Sequence, residues 1–307
     1  LLLIFIDRRM RLKGDPFRRP ARPWRILGVT LIGGLGHLLL DFTNDYGIRP
    51  LLPFSHRWFY GDLIFIADPW IWLILGGAAA WVTLRTAERK QRFGPTLVFW
   101  LLAGAGASAV MALVLKSGSE YNPPIPHAVR IVWFCGLAIV AFGIMMRWGN
   151  NGTRTARWAV FVLAAYYSVM LLGRQTAILE ARAHPPSGGV ASLAAWPEPA
   201  NPVLWDAVGR SAGFVANKEV NLIPSWLDPA SKDDWRQMDS LDERFRDALD
   251  RTDAGHTFLG FARFPRASVE DLSNGYRVTV SDSRFSLRLR AELDTGFNVR
   301  WASVSWF

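Results

Sequence analysis

His37 and Asp41 lie four residues apart within the apolar segment ILGVTLIGGLGHLLLDF. Residues with this spacing sit one above the other on the same face of a helix. An imidazole and a carboxylate in that arrangement can ligate one cation, or two neighbouring ones, without backbone strain. Since ionisable groups are costly in an apolar helix unless they are paired, metal-bound or facing water, both are candidate metal ligands. The alternative is a helix-end pair, with Asp41 hydrogen-bonded locally and His37 facing a neighbouring helix.

Polar residues continue after this pair, so that residues 37–72 form a dense polar stretch between two apolar segments. Turn residues come first, and two further carboxylates, Asp62 and Asp68, precede the next apolar segment. Asp68 followed by Pro69 fits a helix N-cap with proline at the first helical position, which is a purely structural alternative to metal ligation. The remaining candidate catalytic residues are His56 and Arg57, whose side chains suit the binding of a substrate anion.

The string HLLLDFTNDYGIRPLLPFSHRWFYGDLIFIADPWIW resembles the core motif of the YdjM/YbcI-type membrane-bound, metal-dependent hydrolases of bacteria. WPEPANPVLW, FARFP and GYRVTVSDSRF are similar to segments after the last membrane span of many members, so the resemblance extends over nearly the whole chain. It implies a polytopic inner-membrane protein with a metal centre, likened to the zinc-dependent phospholipase C and nuclease class. It also implies His37 and Asp41 as ligands, and it matches Arg57, Asp62 and Asp68 to polar positions of the following loop.

The beginning of the chain departs from this family pattern. Members usually carry His-Ser, Asn-x-x-Asp-x-Asp and Arg-Gly-x-x-His-Ser segments upstream of the core motif, whereas this chain starts at Leu1 within the apolar string LLLIFI. We therefore expect a fragment that lacks its first helices and, with them, part of the metal ligands. The expected enzyme is the full-length protein.

Composition favours a membrane protein. Half of the residues are hydrophobic, fifteen are tryptophan, and the formal net charge is +9, which is typical of a multi-span protein with basic loops rather than of a soluble nucleic-acid binder. Residues 7–25 hold eight Arg or Lys against two Asp, and their place between apolar segments indicates a cytoplasmic loop. The lone Cys135 excludes a disulfide within the chain and a cysteine zinc cluster.

Five apolar segments after the basic run are predicted to form spans. The loops 85–93 and 147–157 are rich in arginine, whereas residues 116–128 carry only Lys116 and Glu120 as charged groups besides one histidine. If the basic loops are cytoplasmic, alternation places the stretch 37–68 and everything after Gly173 in the periplasm. The predicted spans are 26–42, 63–84, 94–115, 130–146 and 158–173.

Three regions follow from these patterns: a membrane domain over 1–173, a helical extension with a Pro/Gly-rich linker over 174–200, and an extramembrane α+β domain over 201–307. In the last region, SKDDWRQMDSLDERFRDALD predicts one amphipathic helix, and alternation around Tyr276, Leu287 and Val299 predicts strands. The strings SNG and FLGFARF are predicted to be a turn and a strand of an antiparallel sheet of at least four strands. WPEPANPVLW predicts an irregular connection because of its prolines.

The sequence thus predicts an α-helical polytopic membrane domain followed by a small α+β domain with an antiparallel sheet. Its first functional hypothesis is a hydrolase of the bacterial inner membrane that uses a divalent metal, zinc by family resemblance, on a phosphoester or lipid-linked substrate. The second is a non-enzymatic transporter or scaffold with a structured re-entrant polar loop. Expected partners are the lipid bilayer and a small-molecule or lipid-linked substrate, without nucleic acid, and the oligomeric state stays open.

Overall fold

The computed structural model describes residues 22–89, 91–114, 127–223, 234–285 and 287–305. The initial apolar string, most of the basic run after it and most of the charge-poor loop 116–128 lie outside these ranges. The chain divides into two compact units, Leu1–Gly61 and Asp62–Phe307. The first element of each unit is a helix, and all strands of the described residues belong to the second unit.

The described part of the first unit is helix α1, Pro23–Thr43, with the loop that follows it. Pro23 occupies the first turn, where its missing N–H group costs no hydrogen bond. A single antiparallel bridge joins Ile48 to Phe59, and the Gly61 amide donates to the Phe42 carbonyl at 2.7 Å. The loop therefore returns to the end of the helix from which it departs.

Four helices open the second unit, and together with α1 they confirm the five predicted apolar segments as helices with shifted ends. The predicted span 63–84 starts before the helix that it corresponds to. Helix α2 starts at Pro69, directly after its cap at Asp68. Within the described residues, α1, α2, α3 and α5 are long and apolar enough to cross a membrane, and residues 129–145 of α4 form a shorter apolar helix. The four helices are α2 Pro69–Arg89, α3 Phe93–Val114, α4 His127–Met145 and α5 Gly152–Ala183.

Helix α5 has 32 residues and is the longest element in the described part of the chain. At about 1.5 Å per residue it is longer than the roughly 30 Å hydrocarbon core of a bilayer. Its apolar side chains are largely exposed up to Val169, whereas Met170, Ala177 and Ala181 are buried against the first sheet. The helical extension predicted after Gly173 is thus confirmed as far as Ala183.

The first sheet is an antiparallel meander in the order β1-β2-β3-β4. Trp205 and Ala207 on one of its faces pack against α5, and the fully buried Trp205 ring lies over Gly173. At the β1–β2 turn, the Ala200 carbonyl accepts a 3.1 Å hydrogen bond from the Trp70 indole at the start of α2. The strands are β1 Ser192–Glu198, β2 Asn201–Arg210, β3 Phe214–Asn221 and β4 Arg236–Asp239.

The second sheet is also an antiparallel meander, in the order β5-β6-β7-β8, and two short helices cover one face. Its core contains Val278, Leu289 and Phe258, and the predicted Ser-Asn-Gly turn joins β5 to β6 at Gly275. Two antiparallel sheets after a helical region confirm the predicted fold class. The helices are α6 Glu243–Asp250 and α7 Asp253–Phe261, and the strands are β5 Pro265–Leu272, β6 Gly275–Asp282, β7 Arg288–Asp294 and β8 Val299–Ser305.

Three local predictions in this region are wrong. WPEPANPVLW forms the β1–β2 hairpin, and its Pro197 is tolerated because it lies on the outer strand where the register shifts. FLGF belongs to α7 and not to a strand, since Thr252 caps that helix by accepting a hydrogen bond from the Gly255 amide. The helix predicted from residue 231 is confined to α6, with β4 before it.

We expect Gly173→Ala to lower the midpoint of thermal unfolding, measured by tryptophan fluorescence of the full chain in detergent. An added Cβ would lie 2.8 Å from the Trp205 ring, and such overpacking costs about 1–3 kcal/mol. Gly104→Ala on α3 is the control, because its Cβ would meet nothing within 4 Å and alanine is the better helix former. Equal midpoints for both variants would show that the contact between α5 and the sheet is loose.

Candidate functional site

The side chains of His37 and Asp41 face each other on α1, as their spacing predicts. His37 Nε2 lies 3.5 Å from Asp41 Oδ2, and the two side chains are 77% and 40% exposed. Among the described residues, no group of three or more His, Cys, Asp or Glu side chains converges as a metal site would require. The pair alone thus offers two donor side chains, whereas a zinc site commonly takes three or four protein ligands.

A second helical pair with the same spacing tests how specific this geometry is. His184 Nδ1 lies 2.9 Å from Glu180 Oε1 at the end of α5, with side chains 63% and 43% exposed. No sequence feature assigned a metal to this pair. Spacing and exposure alone therefore do not distinguish a ligand pair from a surface ion pair, and other properties of His37 and Asp41 must carry the assignment.

The loop after α1 is built around Asn44, which is buried. Its side-chain oxygen accepts hydrogen bonds from the amides of Tyr46 at 2.8 Å and Gly47 at 3.3 Å, which forms the predicted turn. His56 and Arg57 are exposed farther along this loop, and the Arg57 guanidinium lies 5.2 Å from the centre of the Phe59 ring. Both side chains are thus accessible to an anion in solution.

Asp62 is fully buried in the second unit and is paired with two arginines. Arg263 Nη1 donates to both carboxylate oxygens, at 2.8 and 3.0 Å, and Arg174 Nη2 lies 3.5 Å from Oδ2. Arg174 belongs to α5, and Arg263 follows α7. Asp62 also has a φ of 54°, a left-handed conformation that Asp and Asn adopt more readily than most residues. Its carboxylate thus joins three distant segments of the second unit.

A second buried carboxylate, Asp282, fixes the backbone that carries Arg263. It accepts hydrogen bonds from the amides of Arg263 at 2.5 Å and Phe264 at 3.3 Å, and from Arg284 Nε at 2.9 Å. The Arg284 guanidinium lies 5.0 Å from the Phe261 ring centre and 4.8 Å from that of Phe285. This packing holds the short segment after α7 so that the Arg263 side chain reaches Asp62.

Asp68 caps α2, which confirms the structural alternative for this residue. Its Oδ1 accepts hydrogen bonds from the amides of Trp70 at 2.9 Å and Ile71 at 3.2 Å. The Tyr166 hydroxyl on α5 donates to Oδ2 at 2.7 Å. Burial raises the pKa of Asp68 above its ordinary value, and the Tyr166 hydrogen bond opposes that rise. Asp68 therefore links the start of α2 to the middle of α5.

The structure brings His37 and Asp41 together in the first unit, whereas Asp62 and Asp68 belong to the second and have partners of their own. Sequence reasoning did not identify those partners, Tyr166, Arg174 and Arg263. The sequence does contain a hint of two of them. Tyr166 lies inside an apolar span and Arg174 at its end, and polar groups at such positions require a partner.

We expect Asp62→Asn to lower the free energy of unfolding by about 3–5 kcal/mol, because it leaves two arginines without their buried counter-charge. Asparagine tolerates the left-handed backbone at this position, so the loss reports on the charge. Denaturant unfolding in detergent measures it. Asp247→Asn on the exposed surface of α6 is the control, with a change of at most about 0.5 kcal/mol. Similar values for both variants would contradict the assignment.

Comparison with known proteins bears on the first part of the chain. Residues 1–117 match the family model described as YdjM inner membrane protein. No curated protein and no solved structure matches the chain. The matched segment contains α1, the polar stretch and α2, and together with the apolar helices it supports a membrane protein. Over residues 1–117 the chain is thus similar to the YdjM inner membrane protein family, as its polar core motif predicted.

Proposed function

We propose that this chain belongs to a membrane-bound, metal-dependent hydrolase that acts on a phosphoester or a lipid-linked substrate. The observation that carries the proposal is the His37–Asp41 pair, whose facing side chains lie 3.5 Å apart on an apolar helix. This pair falls within the matched segment, whereas the geometrically similar His184–Glu180 pair lies outside it. The resemblance of residues 37–72 to metal-dependent hydrolases supports the chemistry.

In this proposal His37 and Asp41 would hold a divalent metal, with zinc as the first candidate. When bound, such an ion polarises the scissile bond and lowers the pKa of a water molecule. Arg57, with His56, binds the anionic group of the substrate, which their exposure permits. A complete zinc site needs ligands beyond the two that the structure describes together.

In this proposal Asp62 and Asp68 have a structural role and do not ligate the metal. Asp62 is occupied by Arg263 and Arg174, and Asp68 by Tyr166 and the first amides of α2. A carboxylate with such partners would have to lose them before it could ligate a metal. We therefore assign both residues to fixing the segment that leads from the polar stretch into α2.

The second candidate function is a non-enzymatic transporter or scaffold. The same contacts of Asp62 and Asp68, together with the Asn44 turn, favour it, because they show a polar stretch held by ordinary structural interactions. Metal content separates the two functions, since a scaffold has no need of a stoichiometric ion.

We expect His37→Ala and Asp41→Ala to remove zinc from the purified full-length protein, as measured by elemental analysis after equilibration with zinc. Each variant deletes one of two ligands on the same helix face. His184→Ala is the matched control, because it deletes the histidine of the other exposed i,i+4 pair. It should keep the wild-type zinc content.

Asp62→Asn and Asp68→Asn should keep zinc wherever the protein stays folded, since their carboxylates are held by other groups. Full occupancy in the folded His37→Ala and Asp41→Ala variants would show that the pair is structural. The hydrolase proposal would then lose its main support.

We further propose that the residues after α5 lie in the periplasm of a bacterial inner-membrane protein. Support comes from the charge of the loops, since the ends of α2 and α5 that face away from the sheets carry Arg85, Arg89, Arg154 and Arg157. Positively charged loops are retained in the cytoplasm. The β1–β2 turn contacts Trp70 at the opposite end of α2, which supports placing the sheets across the membrane from those arginines.

A reporter that is active only in the cytoplasm is therefore expected to be silent when fused after Phe307. The same reporter fused after Asn150, in the arginine-rich connection between α4 and α5, should be active. Activity assays on whole cells, normalised to the amount of fusion protein, give both results. The reverse pattern would invert the topology and place the polar stretch in the cytoplasm.

A further inference from the structure

A cavity of 890 Å³ lies between α2, α4 and the first turns of α5. Most of its lining is apolar, and this part, the apolar wall, includes Leu73, Gly77, Val140, Trp158 and Val162. Ligand sites typically fall in the range of about 300–1,000 Å³, so the space is large enough for a substantial part of a small molecule.

Small residues and tryptophans give the cavity its shape. Gly136 lies against Leu73, and Gly77 lies against Val140, so that α2 and α4 approach closely along one side. Trp81 donates from its indole nitrogen to the Val140 carbonyl at 2.8 Å, and its ring lies edge-on to Trp148 at 5.0 Å. These contacts hold α2 and α4 together along this wall.

The end of the cavity next to the α4–α5 connection is polar and basic. Arg147, Asn150, Asn151 and Arg154 line it. Arg147 Nη2 pairs with Glu88 at 2.8 Å. Asn150 accepts hydrogen bonds from Arg85 at 3.1 Å and, through its carbonyl, from a further arginine of α2 at 3.4 Å. Several guanidinium groups thus surround one end of an otherwise apolar space.

The positive charge at this end exceeds the negative charge. From residue 69 to residue 157 the sequence contains two acidic residues, Glu88 and Glu120. Glu88 is shared between Arg85 and Arg147. The exposed Arg154 side chain lies in the first turn of α5, where the helix dipole also favours an anion.

We propose that this cavity binds an anionic phospholipid, with an acyl chain along the apolar wall and the headgroup phosphate at Arg154 and Arg147. The combination of a basic end with an apolar wall matches an amphiphile, and basic pockets between membrane helices recognise anionic headgroups. A soluble anion would use the arginines but leave the wall from Leu73 to Val162 unfilled. The exposed Trp158 ring borders the cavity, as an aromatic side chain at a membrane interface does. The proposal does not depend on the hydrolase activity.

Native mass spectrometry of the full chain, released from detergent, tests the proposal with dioleoyl phosphatidylglycerol and dioleoyl phosphatidylethanolamine. These lipids have the same acyl chains and differ in headgroup charge. We expect phosphatidylglycerol to bind at least about fivefold more tightly, and Arg154→Gln to reduce its affinity by about fivefold. Arg157→Gln is the control, since it removes the same charge from the same helix at an exposed position outside the cavity lining.

A second variant probes the apolar wall without changing charge. Ala159→Phe places a ring in the cavity and should reduce the number of bound phosphatidylglycerol molecules, with the thermal midpoint reporting that the protein is folded. Equal affinity for the two lipids, or an equal loss in Arg154→Gln and Arg157→Gln, would overturn the proposal. Displacement of the lipid by millimolar glycerol phosphate would assign the basic end to a soluble anion instead.

Discussion

The ion cluster of Asp62 with Arg263 and Arg174 is the interaction on which the second unit depends. A carboxylate without exposed surface is stable only if its charge is compensated by well-placed partners. Those partners come from α5 and from the segment after α7, so the cluster is complete only when α5 and the segment that leads into the second sheet are both in place. Asp282 and Arg284 add to the same constraint, because they fix the backbone that presents Arg263.

Helix α5 meets two environments along its length, and its sequence changes accordingly. Up to Val169 most of its large apolar residues are exposed, which suits lipid contact, whereas farther along the residues of one face, including Met170 and Ala177, are buried by the first sheet. Gly173 marks the change, since it leaves room for Trp205. The sheet is thus attached to a continuous helix rather than to a flexible linker, and its position relative to α5 is set by packing.

Local patterns predicted the membrane helices well, because long apolar runs have few other stable arrangements. They failed where a long-range partner decides the structure: Asp62 pairs with an arginine 201 residues away, a contact that no local pattern can indicate. The β1–β2 hairpin is not predicted because its prolines disfavour strands, although Trp196 and Trp205 each lie in a buried core cluster. The aromatic residues of FLGF favour a strand, yet this segment is helical because the helix that contains it is capped at Thr252.

The two His–carboxylate pairs show what a functional assignment from spacing requires. His37–Asp41 and His184–Glu180 share the helical spacing and high exposure, and the second pair is the closer of the two. Their surroundings differ: the first lies on a helix whose apolar residues are exposed, and the second on the part of α5 that is packed against a sheet. An ionisable pair on a lipid-facing helix has to be compensated, whereas one at a sheet-packed helix end is hydrated at little cost. This difference in cost, rather than the geometry, is the physical reason to search for a metal at His37 and Asp41.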